Sequence, residues 1–361
     1  MGKEPDNASR DAPTPRPDKL ALPVWAGAKG QITVVRGWVN TAAAWLPTSV
    51  DGRVRLIAWL SLACQVLLVA TGGAVRLTGS GLGCPTWPRC TDDSFTTTQE
   101  MGIHGIIEFG NRLLTFVLVI IAIAAFLAVI RFAVERRDLF VLTLLQGLSI
   151  PVQAVLGGIT VLTGLNPYIV GLHFVISIVL VALTTTLVYR VVIGPRGADR
   201  LAPTWFVVLT HTASLLVVIT VALGILTTGS GPHAGDADTP RNGLDAELLQ
   251  HFHSWPAYAL LAVTLVLAVA TWRAGAGMSL LRRFTTLLLV VEMLQMIVGI
   301  TQARLGLPEL LVGIHMVLAA VLVAAMTAVV LSLRSVTSTI TAQPVPTAGD
   351  VAGTPTAPLV G

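Results

Sequence analysis

Between Arg53 and Arg334 the chain alternates long apolar runs with short charged ones. Eight runs, at roughly 55–76, 101–130, 139–163, 168–190, 204–227, 248–272, 284–303 and 309–333, reach or exceed the about 20 residues that cross a bilayer. Helices are the expected element, because hydrocarbon cannot satisfy open backbone groups. The pattern also repeats. "VLGGITVLTGLNPYIVGLH" ends at His173 and "IVGITQARLGLPELLVGIH" ends at His315, 142 residues later. The same offset relates Gln153 to Gln295, Gly157 to Gly299, Val170 to Val312 and Gly171 to Gly313. A shared offset of this kind points to an internal duplication. The pattern therefore predicts an all-α membrane protein whose eight transmembrane helices form two tandemly duplicated four-helix bundles.

The predicted organisation is a polar, Pro-rich N-terminal tail over 1–52, a first bundle over 53–192, a linker over 193–203, a second bundle over 204–334 and a low-complexity tail over 335–361. Both tails are expected to be disordered and cytoplasmic. The part of the first tail around Trp25, Trp38 and Trp45 is also suited to a membrane surface. Composition agrees with a polytopic chain, since 54% of the residues are hydrophobic and 12% charged. Basic residues set the orientation. Arg53, Arg55, Arg131, Arg136, Arg137, Arg190, Arg196, Arg200, Arg273, Arg282, Arg283 and Arg334 fall on one side, against Arg76, Arg89, Arg241 and Arg304 on the other. Both termini are expected in the cytoplasm. The net charge of +4 reflects this topology, and no nucleic-acid motif accompanies it.

Cys84 and Cys90 flank "PTWPR" in the first outer loop, and Cys64 lies in the first span. An outward-facing pair suits a disulfide, with two free thiols as the alternative. Zinc would need further ligands that the loop lacks. Of seven histidines, His211 and His233 have positions expected of packing or loop residues. His104 and His251 lie at outer helix ends, and His173, His253 and His315 lie one to two turns inside. Ligand-type residues at membrane depth default to functional candidates, although a single one is as readily a structural hydrogen bond.

The duplication adds weight to them. His253 and His315 fall on the second and fourth helices of the second half, where the first half has Asn111 and His173. Facing helices of a bundle are where cofactor sites are built, and two imidazoles at matched depth can bind a haem iron from both faces. The first half has one such imidazole, opposite a stripe of His104, Glu108 and Asn111 on one helical face. Glu108 stands where the second half has Gln250. A carboxyl group beside an iron can move protons or stabilise positive charge; an ion pair with Arg112, one turn on, is the structural alternative. "TGS" recurs at Thr78–Ser80 and Thr228–Ser230 with an offset of 150, so the first outer loop is eight residues longer and contains the Cys pair.

"TGGAVRLTGSGLGCPTWPRC", "IIEFGNRLLT", "GLHFVIS", "TGSGPHAGD" and "GIHMVLAA" together resemble the haem A synthase family, Cox15/CtaA, across all eight spans and outside both tails. The resemblance implies an oxidoreductase that converts a methyl group of haem O to a formyl group for cytochrome c oxidase assembly. It implies haem b on His253 and His315, a substrate haem on His173, Glu108 as the catalytic carboxylate and a Cys84–Cys90 disulfide. It further implies molecular oxygen or water as co-substrate, a membrane electron donor, haem O synthase as a candidate partner, and haem sites towards the outer face of the cell membrane. Many members have histidine where this chain has Asn111, which leaves His173 alone on the substrate iron or gives His104 a part. Two other classes fit less well: a di-haem b electron-transfer protein of the quinol oxidoreductase type should have four histidines, and a cofactor-free transporter commonly has inverted repeats.

Overall fold

A computed structural model describes residues 45–337. The tails expected at 1–52 and 335–361, with Trp25 and Trp38, fall mostly outside the described residues. Eight helices are long and apolar enough to span a membrane. They are α1 (Gly52–Leu77), α2 (Gly102–Val129), α3 (Arg137–Leu162), α4 (Pro167–Val192), α5 (Thr204–Ser230), α6 (Ala246–Arg273), α7 (Ser279–Arg304) and α8 (Glu309–Leu331). The ends follow local chemistry. The carboxylate of Asp51 accepts from the N–H groups of Arg53 and Val54, and that of Asp245 from Glu247 and Leu248. These bonds satisfy donors that a helix start leaves open. Asn166 caps α4 through the Tyr168 N–H, with Pro167 at the first helical position.

Helix packing follows the duplication. In the first half α1 packs on α2 and α4, and α3 on α2 and α4; in the second, α5 packs on α6 and α8, and α7 on α6 and α8. Each set of four thus closes into a ring. The turn between α3 and α4 is built a second time between α7 and α8. Leu165 N–H donates to Thr160 O at 2.8 Å, and Leu307 N–H donates to Gln302 O at 2.8 Å. Gly164 and Leu165 have φ of 59° and 58°, and Gly306 and Leu307 have 76° and 63°. The Gly at each turn is required by the left-handed backbone, and these turns are consistent with two copies of one unit.

The halves meet along α1, α4, α5 and α8. Val69, Ile178, Val181 and Ala320 form an apolar cluster across that seam. The Gly of each Val-Gly-Leu/Ile-His motif lies at the seam. A Cβ on Gly171 would stand 2.8 Å from Ile225, and one on Gly313 would stand 3.2 Å from Leu77. Small residues let membrane helices approach closely, which explains why the repeat keeps glycine two residues before its histidine, on the other side of the helix.

Polar contacts tie the halves together at the end that bears the Cys pair. Arg76, the outer limit of the first apolar run, lies in the last turn of α1. Its guanidinium donates to His233 O at 2.7 Å and Thr228 O at 3.0 Å. His233 Nε2 lies 2.8 Å from Leu307 O, the loop role expected for it. At the opposite end β1 (Arg196–Arg200) pairs antiparallel with β2 (Arg334–Val336). The sequence pattern assigned no strand there: the ladder joins the linker to residues just past α8, and Ser335 and Val336 belong to the fold instead of to a tail.

Candidate functional site

A cavity of about 1420 Å³ runs between the two rings and is lined from both. It exceeds the roughly 300–1,000 Å³ typical of small-ligand pockets, so it has room for more than one bulky ligand. His173, His253, His315, Glu108 and Asn111 all line it. The structure therefore brings together the candidate residues of both halves, except for His104. That side chain is exposed, has Nδ1 2.9 Å from Ser80 Oγ, and is not among the residues lining the cavity.

In the second half the rings of His253 and His315 face each other with centroids 6.1 Å apart and planes at 75°. Two metal–imidazole bonds of about 2 Å, plus roughly 1 Å from each coordinating nitrogen to its ring centre, span about 6 Å. The observed centroid spacing matches that length. His253 Nδ1 lies 2.8 Å from Thr220 O. A carbonyl only accepts, so Nδ1 has the proton and Nε2 keeps its lone pair for a metal. His315 Nδ1 is buried and has no partner, and the same holds for His173 Nδ1 in the first half. His315 Nε2 lies 3.5 Å from the Gln295 amide nitrogen, whereas buried polar atoms are normally paired, so the two unpartnered Nδ1 atoms stand out. Among the described residues no three or more His, Cys, Asp or Glu side chains cluster as for a chelated ion. The donor set suits a group that supplies its own equatorial ligands, as a haem does.

Glycines make room for each ring. A Cβ on Gly224 would stand 2.8 Å from His253 Cε1, one on Gly299 would stand 3.0 Å from His315 Cε1, and one on Gly157 would stand 3.5 Å from His173 Cε1. Gln153 donates its amide to His173 O at 3.2 Å, and Gln295 donates to His315 O at 3.1 Å. The matched positions of the repeat thus form a holder for one imidazole in each half. If a haem iron is held between His253 and His315, Gly224→Ala is expected to tilt His253 and broaden or shift the haem absorbance. Gly299→Ala, whose Cβ would stand 3.0 Å from His315 Cε1, is expected to have a smaller effect of the same kind. Visible spectra of the two purified variants check this gradient.

The first half differs in its second position. Thr71 Oγ1 donates to Asn111 Oδ1 at 2.7 Å, which holds the amide at the cavity wall where the second half has His253. Glu108, 5% exposed, accepts the Cys84 N–H on Oε2 at 2.5 Å and Arg112 Nη2 on Oε1 at 2.6 Å. The ion pair with Arg112 is therefore formed, and the same carboxylate lines the cavity. Arg112 extends further, donating to the carbonyls of Cys84, Thr86 and Arg89. The outer loop is thus fastened to Glu108 from both sides. Cys84 and Cys90 are joined by a disulfide within it, and Cys64 is free and buried in α1. Thiol labelling of the denatured, non-reduced protein is expected to modify Cys64 alone; labelling of all three cysteines would reject the bond. The loop also places Trp87 against α3, where a Cβ on Gly158 would collide with the indole.

Sequence reasoning missed Glu292. It is 6% exposed, lies on α7 and lines the cavity. The signal was available: an acidic residue alone inside the apolar run "LLLVVEMLQMIVG".

Comparison with known proteins accords with this geometry. The chain is 33% identical over 121 residues to the heme A synthase of Listeria welshimeri, covering 33% of this chain and 39% of that protein. It is 31% identical over 150 residues to the heme A synthase of Bacillus pumilus, covering 41% and 48%. For the heme A synthase of Geobacillus thermodenitrificans the identity is 31% over 129 residues, covering 35% and 40%. The matched regions thus span less than half the length of these relatives. The profile of the COX15-CtaA family, described as cytochrome oxidase assembly protein, matches residues 55–327, which takes in all eight spans. With eight membrane-spanning helices and a match over three quarters of its length, this chain belongs to the COX15-CtaA family.

Proposed function

We propose that this protein is a haem A synthase, oxidising a ring methyl of haem O to a formyl group. Family membership and the name shared by the relatives support the reaction. The observation that carries the reading is the pairing of unlike sites in one cavity. Facing imidazoles at 6.1 Å lie in one half, and a single imidazole with a buried carboxylate lies in the other.

His253 and His315 would hold haem b by its iron. A haem with both axial positions filled supplies one-electron transfer. His173 would hold the iron of the substrate haem from one face, with Asn111 across the cavity. Glu108 already has both oxygens in hydrogen bonds to N–H donors. Its geometry suits stabilisation of positive charge developing at the reacting methyl carbon better than a free proton shuttle. The methyl group passes through the alcohol and the hydrated aldehyde, and loss of water from the hydrate leaves the formyl group. Molecular oxygen, or a membrane electron acceptor with water as the oxygen source, would take up the four electrons of the methyl-to-formyl oxidation; a haem held by His253 and His315 would supply one-electron transfer, and haem O synthase would supply the substrate.

The arginine distribution supports cytoplasmic termini, with the disulfide end and the histidines towards the outer face. The first bundle, over 53–192, would be the substrate domain and the second, over 204–334, the electron-transfer domain. Expression of the full chain with haem O synthase, followed by haem extraction, tests the reading. Haem A is expected beside haem b. Recovery of haem b and unchanged haem O would indicate an electron carrier instead.

A further inference from the structure

Among the described residues two acidic side chains are buried, Glu108 and Glu292, and both line the cavity. They are compensated very differently. Glu108 has a cation and a backbone donor. Glu292 takes part in no ion pair among the described residues: Oε1 accepts the Thr264 hydroxyl at 2.8 Å, and Oε2 is buried without a partner.

The repeat shows that this acid is an addition. The inward stripe of α3 is Leu139, Thr143, Gln146 and Ile150; at the 142-residue offset the stripe of α7 is Leu281, Thr285, Leu288 and Glu292, all buried. At the same offset Thr264 answers to Ala122. Ile150 and Ala122 belong to one apolar cluster in the first half. In the second half the corresponding two positions are exchanged together for a hydrogen-bonded acid and hydroxyl. An apolar pair would fill the same space without the cost of an unpaired buried carboxyl group. Glu292 lies three residues from Gln295, the residue that donates to His315 O, so about 4.5 Å along the helix axis.

We propose that Glu292 is a proton-exchange site coupled to electron passage through the second half, an inference that rests on the haem b reading above. As one electron from a one-electron reductant of the membrane converts ferric to ferrous iron between His253 and His315, Glu292 Oε2 takes one proton from water. As the electron leaves, the carboxyl group releases that proton. The physical reason is charge. An added electron in a cavity within the protein is compensated by a proton on a carboxylate that lines the same cavity and has no cation beside it. Other titratable groups face the same cavity: Glu247, His251, His253 and Tyr258 from α6, His315 from α8 and Arg304 from α7. From the first half come Arg76, His173 and the Glu108–Arg112 pair, while α5 contributes no titratable residue to the lining.

The test is a potentiometric titration of the low-spin haem band of the purified full-length holoprotein at a series of pH values. In the wild type the midpoint potential should fall as pH rises, approaching a tenfold change in the reduction equilibrium per pH unit, about 59 mV for one electron. Glu292→Gln keeps the shape, and Glu292→Ile installs the first-half residue. Both should keep the low-spin spectrum and flatten the slope, and both should lose a redox-linked carboxyl band from infrared difference spectra. A wild type without slope, or a slope and carboxyl band that persist in both variants, would overturn the assignment. A wild-type protein without any low-spin haem would instead overturn the haem b reading on which it rests.

Discussion

Glu108→Gln is expected to lower haem A formation by about 10²-fold or more, the scale on which removal of one preorganised electrostatic group acts. The amide can still accept from the Cys84 N–H or from Arg112, the two donors that now hold the carboxylate, so the outer loop should keep its anchor. What disappears is the negative charge at the cavity wall. Haem O or its hydroxylated product should accumulate, while the low-spin spectrum from His253 and His315 persists as an internal control of folding. Near-normal haem A output with that spectrum intact would reduce Glu108 to an ion-pair partner of Arg112. The companion variant Asn111→His approaches the same half from the other side. If the new imidazole reaches the iron held by His173, the first site should gain low-spin character and lose turnover.

The second large effect is expected at the facing pair. His253→Ala or His315→Ala each removes one of two rings 6.1 Å apart and should abolish most of the bis-histidine absorbance. The loss of affinity should exceed the about 10–100-fold that follows changes behind a metal ligand. His173→Ala should spare that spectrum and remove the substrate haem. The two histidine classes therefore predict opposite spectral outcomes, measurable in one set of purified variants. Retention of a full low-spin spectrum in both His253→Ala and His315→Ala would exclude them as the axial pair.

The spans were legible because each exceeds the length that a bilayer demands, and the helices start and stop within a few residues of the hydropathy limits. Arg76 was legible as the end of the first run, but not its partners. Only the tertiary structure supplies the carbonyls of His233 and Thr228 that let it stay helical. The β1–β2 ladder escaped for a similar reason: it depends on bringing the linker beside the end of α8, a contact between segments more than a hundred residues apart.

The candidate site was legible through its repeat. A single offset singled out His173 and His315, and comparison of the halves singled out Asn111 and Glu108. The glycines at 157 and 299 were visible as matched letters, but their purpose was not. A missing Cβ becomes a space for an imidazole only when the facing helix is known. His104 shares a face with Glu108 by spacing, yet its ring turns to Ser80, because α2 has only just begun there and the loop backbone at Gly83 packs against it. Glu292, like Glu108, is a mismatch between the halves, standing where the first half has Ile150, but no histidine lies at its level to draw attention to it.

The central claim is that one cavity holds an oxidising site and an electron-transfer site built from two copies of the same bundle. The most direct measurement is mass spectrometry of the macrocycle recovered from purified protein that has been loaded with haem O and supplied with an electron partner and air. Conversion of the added haem O to the formyl product, with haem b recovered unchanged, is the predicted result. Recovery of haem O unaltered from protein whose low-spin spectrum is intact would contradict the account.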